Sequence, residues 1–141
     1  MKRRYVLFAL IAVVVVGVAG CSSSDSPCCQ DCNTDADVQN INSAQLQAMM
    51  ADGQPLILAD VRTQEEYDAG HIPGSLHLPL DEIARWSQTL DPDTRICCIC
   101  ASGGRSATAA DALVDGGFSD VYNLAGGMDD WTGEVDNTPE E

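Results

Sequence analysis

A short apolar run, Thr94–Ile99, leads into a glycine-containing segment and then into an alanine-rich stretch, Ala107–Val114. This order predicts a strand, a loop and a helix, and it places Cys100 at the entrance of the loop. A thiol at that position lies above the N-terminus of the helix, where free backbone N–H groups and the helix dipole favour a negative charge. Cys100 is therefore predicted to be a thiolate and a nucleophile.

The residues that follow Cys100 fit the binding of one anion. Gly103 and Gly104 are both predicted to take positive φ, so that successive N–H groups converge on the same point. Arg105 adds a permanent cation, and its role stays open between docking an anionic donor and bracing the loop. Ser106 is predicted to be the N-cap of the helix. The candidate substrate-binding residues are Ala101, Ser102, Gly103, Gly104 and Arg105.

Strand and helix patterns alternate over residues 38–133, which we assign to one domain. Ser43 and Thr63 are predicted as N-caps of the first two helices. Such alternation predicts an α/β fold with a parallel sheet that is covered by helices on both faces. Ligands of such sheets bind beyond the carboxyl ends of the strands, which is where Cys100 lies. Strands are predicted at 38–41, 56–59, 75–78, 94–99 and 121–124, and helices at 43–51, 63–69, 80–90 and 107–116, with a short one ending at 131.

The segment Cys-x-x-Gly-x-Arg-Ser at 100–106 resembles the active-site loop of rhodanese-type sulfurtransferases. Two flanking blocks are similar to other signatures of that family and lie in the same order. The upstream block comprises Asp60-Val61-Arg62, Glu66-Tyr67 and Gly70–Ser75, and the downstream block comprises Gly117-Phe118, Val121, Leu124, Gly126-Gly127 and Trp131. The resemblance implies a rhodanese-like domain with a parallel sheet of about five strands.

The same resemblance implies a double displacement that needs no cofactor and no metal. Cys100 would take sulfur from a small sulfur-containing anion such as thiosulfate, hold it as a persulfide, and pass it to a thiol or to cyanide. A noncatalytic sulfur-carrier or partner-binding module is the alternative. Phosphatase or arsenate reductase chemistry ranks lower, because the related enzymes carry Cys-x5-Arg, one residue longer than the loop from Cys100 to Arg105.

Three further polar residues are candidates for supporting the active site. Asp60 and Arg62 follow a buried strand and are predicted to form a structural pair that holds neighbouring loops. His71 could act as a general base, but its Gly-His-Ile-Pro-Gly turn favours a hydrogen-bonded structural role.

Cys97 and Cys98 lie within the strand that precedes the loop, and we interpret them as small apolar core residues.

The N-terminal segment predicts export and a lipid anchor. Three basic residues precede an apolar run at 5–19, which is shorter than a bilayer span and typical of a secretory signal. The run ends in Val18-Ala19-Gly20-Cys21, which resembles a bacterial lipobox. Residues 1–20 are accordingly predicted as a signal peptide and Cys21 as the lipidated first residue of a protein held at the cell membrane or envelope, outside the cytoplasm.

Residues 21–37 are rich in Cys, Ser and Asp and lack apolar periodicity, so they are predicted to be a tether. For Cys28, Cys29 and Cys32, an inert or disulfide-bonded state is favoured over a sulfur relay. Residues 134–141 are predicted as an acidic tail. Beyond residue 20 the chain has 22 acidic residues and four arginines, a net charge of −18, which excludes nucleic acid as a partner and favours a monomer.

Overall fold

The computed structural model of the protein describes residues 37–138. In this part of the chain five strands form one sheet in the order β1-β5-β4-β2-β3, and every neighbouring pair is parallel. The α/β class and the parallel five-stranded sheet are thereby confirmed. The strands are β1 (Gln39–Ile41), β2 (Ile57–Asp60), β3 (Leu76–His77), β4 (Ile96–Ile99) and β5 (Val121–Leu124), and the helices are α1 (Ser43–Ala51), α2 (Gln64–Ala69), α3 (Ile83–Trp86) and α4 (Gly104–Asp115).

The central strand β4 is buried along its whole length, because apolar clusters cover both faces of the sheet. Cys98 packs on one face with Ala109 and Leu113 of α4. Cys97 packs on the other face with Leu46 of α1. Both cysteines are free thiols with no exposed surface, which confirms their predicted place in the core. The covered strand therefore fixes Cys100, its next residue, at the carboxyl edge of the sheet.

The predicted continuous helix at 80–90 is wrong in detail. The segment consists of a 3-10 turn (Leu80–Glu82), the four-residue α3 and a second 3-10 turn (Ser87–Thr89). The Thr89 hydroxyl donates to the carbonyl oxygen of Trp86 at 2.7 Å, which is the group that a continuing α-helix would pair with the N–H of Leu90. That N–H donates instead to Ser87 O at 3.2 Å, so the turn tightens and ends.

Two further local predictions differ from the structure. The N-cap of α1 is Asn42, whose side chain accepts from the N–H of Gln45 at 2.9 Å, whereas Ser43 lies inside the helix with its Oγ 3.0 Å from Thr132 Oγ1. The short helix before Trp131 is absent, since residues 125–130 form turns. Gly126 and Gly127 within them have φ of 82° and 57°, which no right-handed helix contains. The predicted N-cap of α2, Thr63, is confirmed.

The segment predicted as a tail, 134–141, is bound to the domain along its described part. Asp136 forms an antiparallel bridge with His71, with backbone hydrogen bonds of 2.9 and 2.8 Å. Among residues 37–138, no helix combines the length and the apolar character that a bilayer span requires. The predicted signal peptide, Cys21 and the tether with Cys28, Cys29 and Cys32 lie outside the described residues, apart from Asp37.

Candidate active site

Cys100 lies where β4 ends, and the loop folds back over its sulfur. The residue is 1% exposed. Its Sγ accepts a hydrogen bond from the backbone N–H of Gly103 at 3.1 Å and one from the Ser106 hydroxyl at 3.2 Å. The carboxyl edge of a parallel sheet thus presents a single sulfur atom to a cluster of hydrogen-bond donors.

These donors determine the acidity of the thiol. Burial is the largest single influence on Cys100 and by itself raises the pKa. Hydrogen bonds from the Ser106 hydroxyl and from the N–H groups of Ser106, Ser102 and Gly103 together outweigh it and hold the pKa below the ordinary value for cysteine. The thiolate is therefore the favoured form over a wider range of pH than for a free cysteine.

Alkylation of Cys100 by iodoacetamide should report this shift. We expect the midpoint of the rate-pH profile to lie below that of the unfolded chain, because only the thiolate reacts. Ser106→Ala removes a donor and should move the midpoint up by about one to two pH units, since a hydrogen bond to a charged group contributes about 1.5–3 kcal/mol. Ser102→Ala, which keeps its N–H, is the matched control. Peptide mass mapping measures Cys100 alone, and coincident profiles for Ser106→Ala and the unaltered chain would contradict this role of the hydroxyl.

The two loop glycines differ in a way that the sequence did not show. Gly103 has φ of 92° and is the N-cap of α4, and a Cβ on it would lie 3.0 Å from Gly126 N. Gly104 is the first residue of α4 and lacks positive φ, so the prediction for it is wrong, and a Cβ there would meet open space. Ser106 is likewise inside α4 and is not its N-cap. From that third helical position its hydroxyl contacts both the Cys100 sulfur and Gly103 O, the latter at 3.1 Å.

A turn after β5 supports the loop from the opposite side. The N–H of Met128 donates to Cys100 O and that of Asp129 donates to Ala101 O, both at 2.9 Å. Gly127 permits this approach, because a Cβ on it would collide with those two carbonyl oxygens. These hydrogen bonds hold the carbonyl groups of Cys100 and Ala101 toward the turn. The N–H groups of the residues that follow can then point toward the sulfur.

Arg105 is engaged by a carboxylate on α2. Its Nη1 donates to Glu66 Oε2 at 2.8 Å and its Nη2 donates to Glu66 Oε1 at 2.7 Å. The guanidinium is the main cause that lowers the pKa of the Glu66 carboxyl to about 2. Of the two open roles for Arg105, this contact favours bracing the loop. Sequence reasoning did not place Glu66 in the site, because its Thr63-x-x-Glu66 capping box indicates only the start of α2.

Asp60 and Arg62 form the buried pair that the sequence predicted. The shortest contact, Arg62 Nη2 to Asp60 Oδ2, is 2.6 Å, and the carboxylate has no exposed surface. The same Nη2 donates to Gly70 O at 2.7 Å. The pair therefore ties the end of β2 to the turn that closes α2, next to the helix that carries Glu66.

His71 has contacts in its own turn and with the C-terminal segment. It is 3% exposed, its Nδ1 lies 3.0 Å from Tyr67 O, and its ring stacks on that of Tyr67 with centroids 3.9 Å apart. These contacts suit the structural role better than that of a general base. The structure thus brings Ser106 and the loop to Cys100. Asp60, Arg62 and His71 instead make their contacts with β2, with α2 and the turn that closes it, and with the C-terminal segment.

A groove of about 630 Å³ borders the loop at Arg105. Apolar groups from Val61, Pro79 and Leu80 line it. Its polar lining includes Thr63, the carboxylate of Asp81, His77 and the predicted site residue Arg62. A small molecule can therefore lie beside the loop without entering the core.

The described residues thus form an α/β domain in which loop N–H groups hold the sulfur of Cys100 at the end of a central parallel strand, an arrangement that can serve nucleophilic attack by sulfur. Comparison with known families specifies the class further. Residues 42–134 match the rhodanese-like domain, and the chain belongs to that family.

Known relatives share this domain over different parts of their length. The chain is 38% identical over 93 residues to the thiosulfate sulfurtransferase GlpE of Pseudomonas syringae, which covers 66% of this chain and 86% of that protein. It is 42% identical over 83 residues to YrkF of Bacillus subtilis, which is named a putative sulfur carrier protein; the match covers 59% of this chain and spans only 45% of YrkF. A rhodanese-like domain protein from Staphylococcus aureus aligns with a TM-score of 0.66 at 29% identity, over 72% of this chain and 99% of the other.

Proposed function

We propose that the protein is a sulfurtransferase that moves sulfane sulfur through a persulfide on Cys100. The observation that carries this proposal is the sulfur of Cys100 held 3.1 and 3.2 Å from two donors in the loop of a rhodanese-like domain. A persulfide adds a second sulfur that also carries negative charge. The N–H groups that favour the thiolate favour that anion as well, so one loop serves both states.

The transfer balances without an external oxidant or reductant. The Cys100 thiolate attacks the outer sulfur of the donor, the new S–S bond forms as the donor S–S bond breaks, and the rest of the donor leaves with the electron pair. With thiosulfate the leaving group is sulfite. A thiolate or cyanide acceptor then attacks the outer sulfur of the persulfide, and Cys100 leaves as a thiolate ready for the next cycle.

A noncatalytic sulfur carrier is the second candidate, and the likeness to YrkF favours it. Both candidates load Cys100, but they differ in how the sulfur leaves it. A carrier holds its sulfur until a specific partner collects it, whereas an enzyme releases it repeatedly to small acceptors. Multiple turnover therefore separates the two.

Initial-rate kinetics of the full chain test the enzymatic proposal. With thiosulfate and cyanide both varied, we expect ping-pong kinetics, seen as parallel double-reciprocal lines, because the first product leaves before the acceptor reacts. Thiocyanate formation measures the rate. Intersecting lines would contradict a free persulfide intermediate, and a single turnover without further product would favour the carrier.

We also propose that the protein acts outside the cytoplasm, held to a membrane by lipid on Cys21. The supporting observation is the apolar run at 5–19 that ends in a lipobox-like sequence. The protein should partition into the membrane fraction, and Cys21→Ser should release it or leave it unprocessed. A Cys21→Ser chain that is still cleaved after residue 20 and still partitions into the membrane fraction would contradict the anchor.

A further inference from the structure

Positive charge is scarce in the described domain, and all of it is paired. Residues 37–138 contain seventeen acidic residues and four arginines, a net charge of −13. Each of these arginines contacts a carboxylate. The pairs are Arg62 with Asp60, Arg85 with Glu82, Arg95 with Asp52 and Asp120, and Arg105 with Glu66.

The pair at Arg105 matters most, because this arginine belongs to the active-site loop. Both of its terminal nitrogens donate to the two carboxylate oxygens of Glu66. The side chains are 40% and 35% exposed, so the pair lies at the rim of the site, where a substrate would meet it. The charge of Glu66 cancels that of Arg105 in the field that an approaching anion experiences.

The other groups around the loop do not restore a positive potential. Ala101, Ser102 and Gly104 are uncharged. The groove beside Arg105 carries the acidic Asp81, the imidazole of His77 and Arg62, whose charge is paired with that of Asp60. A doubly charged donor therefore approaches a thiolate through a field that is neutral at Arg105 and negative around it. Stabilisation there comes from the N–H groups of the loop, which favour one negative charge on sulfur.

We infer that the site takes sulfur from the persulfide of a thiol in preference to the thiosulfate dianion, and that Glu66 sets this preference by engaging Arg105. The inference deepens the proposed function and rests on it. Glu66 is a specificity-determining residue here, and it acts through Arg105.

The charges on the two reactions explain the preference. A persulfide meets the Cys100 thiolate with a total charge of −1 in its protonated form, R–S–SH, or of −2 in its ionised form, R–S–S⁻. The protonated form reacts to give Cys100–S–SH and R–S⁻. Thiosulfate meets the same thiolate with a total charge of −3, and the products are Cys100–S–S⁻ and sulfite, SO₃²⁻. In both reactions one S–S bond forms and one breaks. Only the second brings three negative charges together, which an uncompensated site disfavours.

Glu66→Gln isolates the charge of this residue. Glu66 also completes the capping box of α2, in which its side chain accepts from the N–H of Thr63 at 3.2 Å. Glutamine serves equally in such a box, so the helix start is kept while the neutralising charge is lost. Glu65→Gln is the matched control, because this exposed neighbour removes the same charge from the same helical turn.

The experiment is single-turnover loading of Cys100 in the full chain, followed by intact mass. One donor is thiosulfate, and the other is the persulfide of 2-mercaptoethanol, whose organic group has no charge. The unaltered chain should load from the persulfide at least about tenfold faster. Glu66→Gln should raise the ratio of the thiosulfate rate to the persulfide rate at least about fivefold, because an effect on the loop itself is common to both donors and cancels in the ratio. Glu65→Gln should not shift the ratio of the two rates.

A second variant and a salt series test the same charge effect. Gly104→Lys adds a cation where a Cβ meets open space, and it should also accelerate loading from thiosulfate. Raising the ionic strength should speed thiosulfate loading of the unaltered chain, because screening weakens the repulsion, and should leave persulfide loading nearly constant.

The possible results distinguish the donor preference from the proposed sulfur transfer through Cys100. Equal or faster loading from thiosulfate in the unaltered chain would overturn the donor preference while supporting sulfur transfer. Identical donor ratios for Glu66→Gln and Glu65→Gln would overturn the role of Glu66. A Cys100 that takes sulfur from neither donor would overturn the proposed function and the inference together.

Discussion

Cys100→Ser should reduce sulfur transfer by at least about 10³-fold, because loss of a nucleophile removes the covalent step. A serine hydroxyl is far less acidic than a thiol, so the hydrogen bonds from Gly103 and Ser106 cannot hold it as an anion. It also cannot form the S–S bond on which the proposed cycle depends. The measurement is the rate of thiocyanate formation from thiosulfate and cyanide at saturating donor.

Cys97→Ala provides a matched control for this experiment. Cys97 lies three residues earlier in β4 and packs against α1, and burial raises the pKa of its thiol. It is therefore a neutral core residue, and its variant should keep most of the activity once the protein is folded. If Cys97→Ala and Cys100→Ser lost activity equally, the assignment of the nucleophile to Cys100 would be wrong.

Asp60→Asn should lower the free energy of unfolding by about 3–5 kcal/mol, the range for a buried ion pair that loses one partner. The variant leaves the charge of Arg62, whose side chain is 7% exposed, without its carboxylate. The asparagine amide has one carbonyl oxygen where the carboxylate of Asp60 accepts from Arg62 N, Nε and Nη2. Denaturant unfolding measures the change at neutral pH.

An exposed ion pair provides the comparison for Asp60→Asn. Arg85 and Glu82 lie 3.6 Å apart, with side chains 84% and 54% exposed. Glu82→Gln removes the same charge as Asp60→Asn, yet solvent screens this pair, so the free energy of unfolding should hardly change. Similar losses for the two variants would indicate that the burial of Asp60 and Arg62 does not govern their contribution.

The position of Cys100 and the fold could be predicted because their signals are local or repeated. An apolar run, a glycine segment and an alanine-rich helix placed Cys100 correctly without knowledge of any distant residue. The alternating elements indicated the parallel sheet for the same reason. The division of the segment 80–90 into three short elements was less predictable, since it depends on local hydrogen bonds such as that from the Thr89 hydroxyl to Trp86 O.

The parts of the site that sequence reasoning missed depend on tertiary contacts. Glu66 is 39 positions from Arg105, and nothing in either segment specifies the two hydrogen bonds between them. The amides of Met128 and Asp129 lie against the loop because they follow β5, which pairs with β4. The start of α4 was also mispredicted. α4 begins at Gly104, one turn earlier than expected, and this shift turns Ser106 from a cap into a donor to the sulfur.

The central claim is that Cys100 carries sulfur as a persulfide, and intact mass spectrometry tests it most directly. After incubation with a sulfane donor and removal of the excess, the unaltered chain should gain about 32 Da, the mass of one sulfur atom. Cyanide should then remove the added mass, and fragmentation should locate it at Cys100. No gain with either thiosulfate or a thiol persulfide, or an equal gain in Cys100→Ser, would contradict the account.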